Sequence, residues 1–268
     1  MTTIHVLGSE GFIGRAIQRE NGIHSLHCWS HGHGDPEHHF DLLDPLTWQA
    51  LLNRQPTHVI LLSWPGLPNY QEPFHVSRNL PASIELVEKL IESGLQRLVI
   101  AGTCYEYGLE NGPLNESQST SPVNCYAIAK DALRRTIATR CKVNEVTWCW
   151  LRIFFPYGNG QNAKSLLPSL QYAIEQGHPT FPMSSGRQLR DFIPVEHVAS
   201  QLLLLATHPR AYGVYNGGSG RACSLREIVE GRIHELDADI QIECGVYPDR
   251  EDEPLAFWAD MSRMSTLN

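Results

Sequence analysis

Polar and apolar positions switch between two periods along the first half of the chain. Strand-type apolar runs occur at Thr3-Ile4-His5-Val6-Leu7, at 24–29, at His58-Val59-Ile60-Leu61-Leu62, at Arg97-Leu98-Val99-Ile100-Ala101 and at 146–154. Helix-length amphipathic segments separate them at 11–20, 45–54, 74–93 and 126–141, with a further short strand expected at His39-Phe40-Asp41. Strands that alternate with helices build βαβ units, so the pattern predicts an α/β fold with a doubly wound parallel sheet covered by helices on both faces. Beyond residue 158 the pattern loosens. Residues 159–188 are rich in Gly, Pro, Ser and Asn, and helices are expected at 166–176, 195–207 and 224–236. The expected organisation is a sheet domain over 1–158, with strands returning from about 190–216, and a smaller C-terminal substrate lobe over 159–268.

Composition narrows the class. With 268 residues, 42% hydrophobic and 19% charged, the chain has enough apolar side chains for a sizeable core. A net charge of -8 without a basic face argues against a nucleic-acid partner and against an anionic membrane surface. No apolar run approaches the ~20 residues of a membrane helix, and Met1-Thr2-Thr3-Ile4 does not open a signal peptide. The seven cysteines are scattered and form no Cys-x-x-Cys, which suits reduced thiols in the cytoplasm.

The first strand runs directly into Gly8-Ser9-Glu10-Gly11-Phe12-Ile13-Gly14, which opens the first helix. Glycines there allow a tight turn and close approach of backbone to a pyrophosphate, and the helix N-terminus offers free N–H groups and a positive dipole end. Gly8, Gly11, Phe12, Ile13 and Gly14 are therefore expected to hold a dinucleotide; a plain tight turn is the alternative. Asp41 is expected to meet the adenine amino group while Leu42 packs on the ring, or else Asp41 simply precedes a helix at Pro45. Ser30 and His31 end the second strand, where NAD enzymes place an acid for the ribose 2′-hydroxyl. No acid follows until Asp35. Its absence removes repulsion against a 2′-phosphate and favours NADP over NAD, with Arg15 and His31 as candidate contacts.

Tyr126 and Lys130 lie four apart and share a helix face. A phenol with pKa ~10 is a poor acid–base group at neutral pH unless a neighbouring positive charge lowers it. Lys130 is a candidate for that charge and for holding the cofactor ribose. Thr103, at the end of the strand from Arg97, is placed to hydrogen-bond the substrate oxygen that Tyr126 protonates. The His31–His39 run, four histidines among Gly and Pro, reads as an exposed loop, and no metal is expected.

The glycine turn, Thr103 and the Tyr126/Lys130 pair, in this order, resemble the extended short-chain dehydrogenase/reductases that act on nucleotide sugars, enzymes with a Rossmann-type sheet. The resemblance continues through Arg152-Ile153-Phe154-Phe155-Pro156-Tyr157-Gly158, Arg190-Asp191-Phe192-Ile193-Pro194-Val195, Tyr215-Asn216-Gly217-Gly218, and Arg250 with Trp258-Ala259-Asp260. It implies catalytic roles for Thr103, Tyr126 and Lys130. It also implies that Arg190 and Arg250 bind the diphosphate of a nucleotide-diphosphate sugar, that Cys104, Phe155, Lys164 and Ser165 face the substrate, and that Asn79 supports the active-site backbone. A homodimer through the helices at 74–93 and 126–141 is implied as well. Family dehydratases resemble Thr-Asp-Glu where this chain has Thr103-Cys104-Tyr105, so dehydration is disfavoured. Some epimerases pair Cys with His; here Ser165 stands where the His is expected, so Cys104 reads as a small packed residue rather than half of such a pair. The resulting reading is an NAD(P)-dependent reductase of a 4-keto-6-deoxy nucleotide sugar. A 4-epimerase with bound NAD and a non-catalytic dinucleotide sensor are the alternatives.

Overall fold

The computed structural model describes residues 2–20, 24–32, 36–249 and 253–267. Six strands form one sheet: β1 (Thr3–Leu7), β2 (Ser25–Trp29), β3 (His58–Leu61), β4 (Arg97–Thr103), β5 (Thr147–Ile153) and β6 (Gly213–Gly217). Their spatial order is β6-β5-β4-β3-β1-β2, and every neighbouring pair is parallel. The chain leaves β1 to one side for β2 and returns to its other side for β3. Such a reversal opens a crevice at the carboxyl end of β1, where open α/β sheets take their ligands.

Side chains alternate across this sheet with the period of two that a pleated strand imposes. On one face Val6, Ile60, Val99, Cys149 and Leu151 pack against α1 (Phe12–Arg19) and α5 (Val195–Thr207) through Ala16, Ile17, Val198, Ala199 and Leu202. On the other, Val59, Leu61, Leu98, Ile100, Trp148 and Trp150 meet α2 (Leu80–Glu92) and α3 (Cys125–Val143) through Leu86, Val87, Leu90, Leu133 and Ile137. A separate small core joins α4 (Leu166–Glu175), α6 (Leu225–Glu235) and the parallel strands Thr180–Met183 and Gln241–Cys244, with Leu170, Phe181, Met183, Val229 and Ile240 at its centre. Among the described residues no helix is long and apolar enough to cross a membrane.

Three expected elements differ. The strand at His39-Phe40-Asp41 is reduced to one parallel bridge between Ser30 and His39, with the Phe40 N–H donating to Ser30 O at 2.8 Å. Asp41 ends it, because its Oδ1 accepts the Leu43 N–H at 2.8 Å and bends the chain into a turn. The segment at 45–54 begins as a 3-10 turn, Pro45–Trp48, before one turn of α-helix, Gln49–Asn53. The single helix expected over 74–93 starts with a π-turn, His75–Asn79, and becomes α-helical only from Leu80. Pro81 has no N–H to return to the Ser77 carbonyl, which favours the wider turn before it.

Candidate active site

A continuous cavity of about 1930 Å³ runs along the carboxyl edge of the sheet, from the glycine turn past β4 and α3 to the C-terminal lobe. At one end, Gly8 turns the chain with φ +92°, and its N–H and that of Ser9 donate to Trp29 O at 2.8 and 3.0 Å. A Cβ on Gly14 would lie 2.4 Å from Gly8 O, so a side chain there would break the turn. A Cβ on Gly11 would meet only Gly8 O, at 3.3 Å, and Gly11 is exposed to the cavity. As N-cap of α1, Gly11 has no side chain to satisfy the first-turn N–H groups, and Phe12, Ile13 and Gly14 also line the cavity. Uncapped donors at the positive end of a helix, beside glycines that let an anion come close, fit a dinucleotide pyrophosphate.

Ser30, His31 and Asp41 line the same end. Leu42 does not: it is fully buried among Trp29, Phe40 and Trp48, and the cavity is lined instead by Leu43. The Asp41 turn rotates the chain by one residue and exchanges the two leucines. Arg15, a candidate contact for a 2′-phosphate, is exposed and does not line the cavity.

At the middle of the cavity Thr103, Tyr126 and Lys130 come together. Thr103 ends β4, and α3 begins at Cys125 because the Asn124 side chain caps it by accepting the Ala127 N–H at 2.8 Å. One turn later Lys130 reaches back to the strand and donates to Ala101 O at 2.9 Å. All three line the cavity while almost wholly buried. Burial pushes the Tyr126 phenol well above its ordinary value, opposed by a hydrogen bond with the Thr103 hydroxyl. Burial likewise pushes Lys130 down to about 7, opposed by the Glu106 charge. Burial thus opposes the acidification of Tyr126 expected from Lys130. The lysine is itself easily neutralised there, and the phenol stays protonated, the form a proton donor needs.

Other residues hold this arrangement; Asn79 was expected to, whereas Trp64 and Glu106 escaped the sequence reading. Trp64 lies over the Lys130 ammonium at 3.8 Å and donates through Nε1 to His75 Nδ1 at 3.1 Å. Asn79, in the π-turn, is fully buried and donates to Pro65 O at 2.9 Å, fixing the backbone that carries Trp64. Glu106 is fully buried and accepts the Thr103 N–H at 2.9 Å, Trp150 Nε1 at 2.8 Å and Arg152 Nε at 2.9 Å. The signal for Glu106 was in the sequence: Thr103-x-x-Glu106 is a capping box, and the structure forms both of its bonds.

Toward the C-terminal lobe, Phe155, Lys164, Ser165 and Arg190 line the cavity. Arg190 is not a free cation: it donates to Glu253 Oε2 at 2.9 Å and to Leu189 O at 2.9 Å, with the Phe257 ring 4.8 Å from its guanidinium. Cys104 does not face the cavity. It packs with Tyr107, Leu114, Phe154 and Phe257, and burial pushes its thiol up, so it is corrected from a substrate contact to a core residue. Arg250 lies outside the described residues, as do residues 33–35 of the histidine run. Among the described residues no group of three or more His, Cys, Asp and Glu is arranged to hold a metal.

Comparison with known proteins agrees with this geometry. Residues 4–218 match the NAD dependent epimerase/dehydratase family. The chain is 28% identical over 198 residues to a dTDP-6-deoxy-L-talose 4-dehydrogenase (NAD(+)) of Aggregatibacter actinomycetemcomitans, covering 74% of this chain and 73% of the relative. It is 27% identical over 269 residues to a dTDP-6-deoxy-L-talose 4-dehydrogenase (NAD(P)(+)) of Kitasatospora kifunensis, covering 92% and 83%. In fold it resembles a UDP-N-acetylglucosamine 4-epimerase of Methanobrevibacter ruminantium, with a TM-score of 0.85, 23% identity and 100% of this chain and 92% of that one covered. The Rossmann-type sheet, the glycine turn at its switch point and the match over most of the chain give one conclusion: the protein belongs to the NAD dependent epimerase/dehydratase family.

Proposed function

We propose that this chain is an NAD(P)-dependent oxidoreductase of nucleotide-diphosphate sugars that reduces a 4-keto-6-deoxy sugar to its 4-hydroxyl form. The observation that carries the reading is the grouping of Thr103, Tyr126 and Lys130 on one cavity wall, with Cys104, the residue a Cys/His acid–base pair would use, packed away from the cavity. A single carbonyl needs one proton donor and one orienting hydroxyl, which these residues supply. The two dehydrogenase relatives support the direction of the argument, since a 4-dehydrogenase working in reverse is a 4-ketoreductase.

Phe12, Ile13 and Gly14 would take the cofactor pyrophosphate, Ser30, His31 and Asp41 its adenosine, and Lys130 its nicotinamide ribose. When bound, the nicotinamide supplies the hydride. Tyr126 gives its proton to the carbonyl oxygen as the alkoxide forms, and Thr103 orients that oxygen. Trp64 and Ala101 hold the Lys130 head within reach of both. At the far end Lys164, Ser165 and Arg190 would receive the nucleotide diphosphate, with Phe155 as an apolar wall and Glu253 yielding part of the Arg190 fork. With this reading go a cytoplasmic location and a homodimer paired through α2 and α3, both carried from the resemblance.

Two measurements check it. Gly11→Val adds a branched side chain where the pyrophosphate would approach, at a position where a Cβ meets one backbone oxygen, Gly8 O, at 3.3 Å and the turn gives by a few tenths of an ångström. Cofactor affinity should fall by tenfold or more, on the order of the charge-assisted bonds lost, while the unfolding midpoint stays close to wild type. Unchanged calorimetric affinity would remove the glycine turn from the site. The reaction is tested by supplying 4-keto-6-deoxy nucleotide sugars with NADH or NADPH and following nicotinamide absorbance and the sugar product together. Stoichiometric cofactor oxidation with a new 4-hydroxyl is expected. Interconversion of C4 epimers without net cofactor use would instead favour an epimerase, and neither reaction would favour a dinucleotide sensor.

A further inference from the structure

We infer that Glu10, a residue of the glycine turn itself, selects NAD over its 2′-phosphorylated form. This rests on the dinucleotide reading of the turn and goes beyond it, because the end of β2 carries no acid of its own. The fold brings one there. Gly8 and Ser9 are tied to Trp29 O by two backbone bonds, and the Ser9 hydroxyl donates to the same carbonyl at 3.1 Å. These three bonds lay the turn across the last residue of β2. Glu10, the next residue, then extends along the segment that follows Trp29. Its Oε2 lies 2.9 Å from where a Cβ on Gly32 would sit, so only glycine at position 32 leaves that carboxylate its place.

The charges around it point the same way. At this end the cavity is lined by Gly8, Glu10, Ser30, His31 and Asp41. Asp41 contributes a second carboxylate, with Oδ2 3.3 Å from His31 Nδ1, so the imidazole already faces an acid. Among the described residues, the lysines and arginine that line the cavity are Lys130, Lys164 and Arg190, all at the catalytic and C-terminal parts. A ribose 2′-hydroxyl donates well to a carboxylate, and a charged acceptor makes that bond about twice as strong as a neutral one. A 2′-phosphate, with close to two negative charges, would meet two acids and no lysine or arginine. The expectation of NADP, drawn from Trp29-Ser30-His31, counts acids on β2 alone, whereas the proposed preference for NAD counts Glu10 as well.

The experiment is calorimetric titration of the purified protein with NAD and with NADP at fixed ionic strength, for wild type, Glu10→Gln and Glu10→Arg. Wild type should bind NAD at least about tenfold more tightly, the order of one charged hydrogen bond. Glu10→Gln should shrink that ratio by about tenfold, through weaker NAD and stronger NADP, and Glu10→Arg should bring NADP level with NAD or ahead of it. Glu10 is partly exposed, so unfolding midpoints should match. Wild type binding NADP as tightly as NAD, or a ratio within about twofold of wild type in Glu10→Gln, would overturn the inference alone. If wild type binds neither dinucleotide, the reading of the glycine turn falls and this inference with it.

Discussion

Tyr126→Phe is expected to lower turnover by about 10²–10⁴-fold, the range for loss of a general acid, while dinucleotide affinity changes little. The phenylalanine ring can occupy the same place, because the Tyr126 ring is held by Trp64, Tyr70 and His75 at centroid distances of 6.0, 5.5 and 5.5 Å. What disappears is the hydroxyl that shares a hydrogen bond with Thr103. Lys130→Met separates the two roles assigned to the helix. It removes the ammonium held between Ala101 O and the Trp64 ring, so both hydride transfer and cofactor affinity should suffer. Thr103→Ala should cost less than Tyr126→Phe, since it removes an orienting bond but no proton. Single-turnover hydride transfer to a panel of 4-keto-6-deoxy nucleotide sugars, with binding measured separately, resolves these effects. A Tyr126→Phe enzyme that reduces every panel member at the wild-type rate would remove Tyr126 from the chemistry.

What the sequence disclosed about this site divides along a physical line. The alternation of periods was enough for the parallel sheet, because each element carries its own hydrophobic pattern. Thr103, Tyr126 and Lys130 were legible because a strand end and one helix face bring them together by local geometry. Leu42 and Leu43 were interchanged because one Asx-turn at Asp41 decides which of two adjacent leucines faces the core. The short strand expected at His39-Phe40-Asp41 shrank to a bridge for the same reason. Glu10 and Trp64 were missed for another reason. Their partners lie on elements distant in sequence, Gly32 in one case and Lys130 in the other, and no period in the chain records such a meeting. Arg190 was expected to bind a diphosphate and does line the cavity, yet its partner Glu253 lies 63 residues away in sequence and alters what the guanidinium has free to offer.

Glu106→Gln should be the most damaging single change to stability near the site, although Glu106 touches no part of the cavity. Its carboxylate is fully buried and gathers three donors from two strands, the Thr103 N–H of β4 and Trp150 and Arg152 of β5, with Arg134 of α3 a further 3.5 Å contact. Gln keeps the shape and one acceptor oxygen but leaves the Arg152 guanidinium, itself 1% exposed, without its counter-charge. Arg134 is less affected, because Asp131 also bridges it at 2.6 Å. Breaking one half of a buried ion pair costs about 3–5 kcal/mol, since the remaining charge is stranded out of water. Urea unfolding should therefore show an unchanged slope and a midpoint lowered by that free energy divided by the slope. The companion change Glu106→Leu/Arg152→Met, which removes both charges, should recover a large part of the loss. Activity should not recover with it, because the Thr103 N–H then has no acceptor to fix the residue that orients the substrate oxygen. A Glu106→Gln protein less than about 1 kcal/mol below wild type would mean that Arg152 finds compensation elsewhere, and the carboxylate would lose its place as the anchor of the catalytic strand.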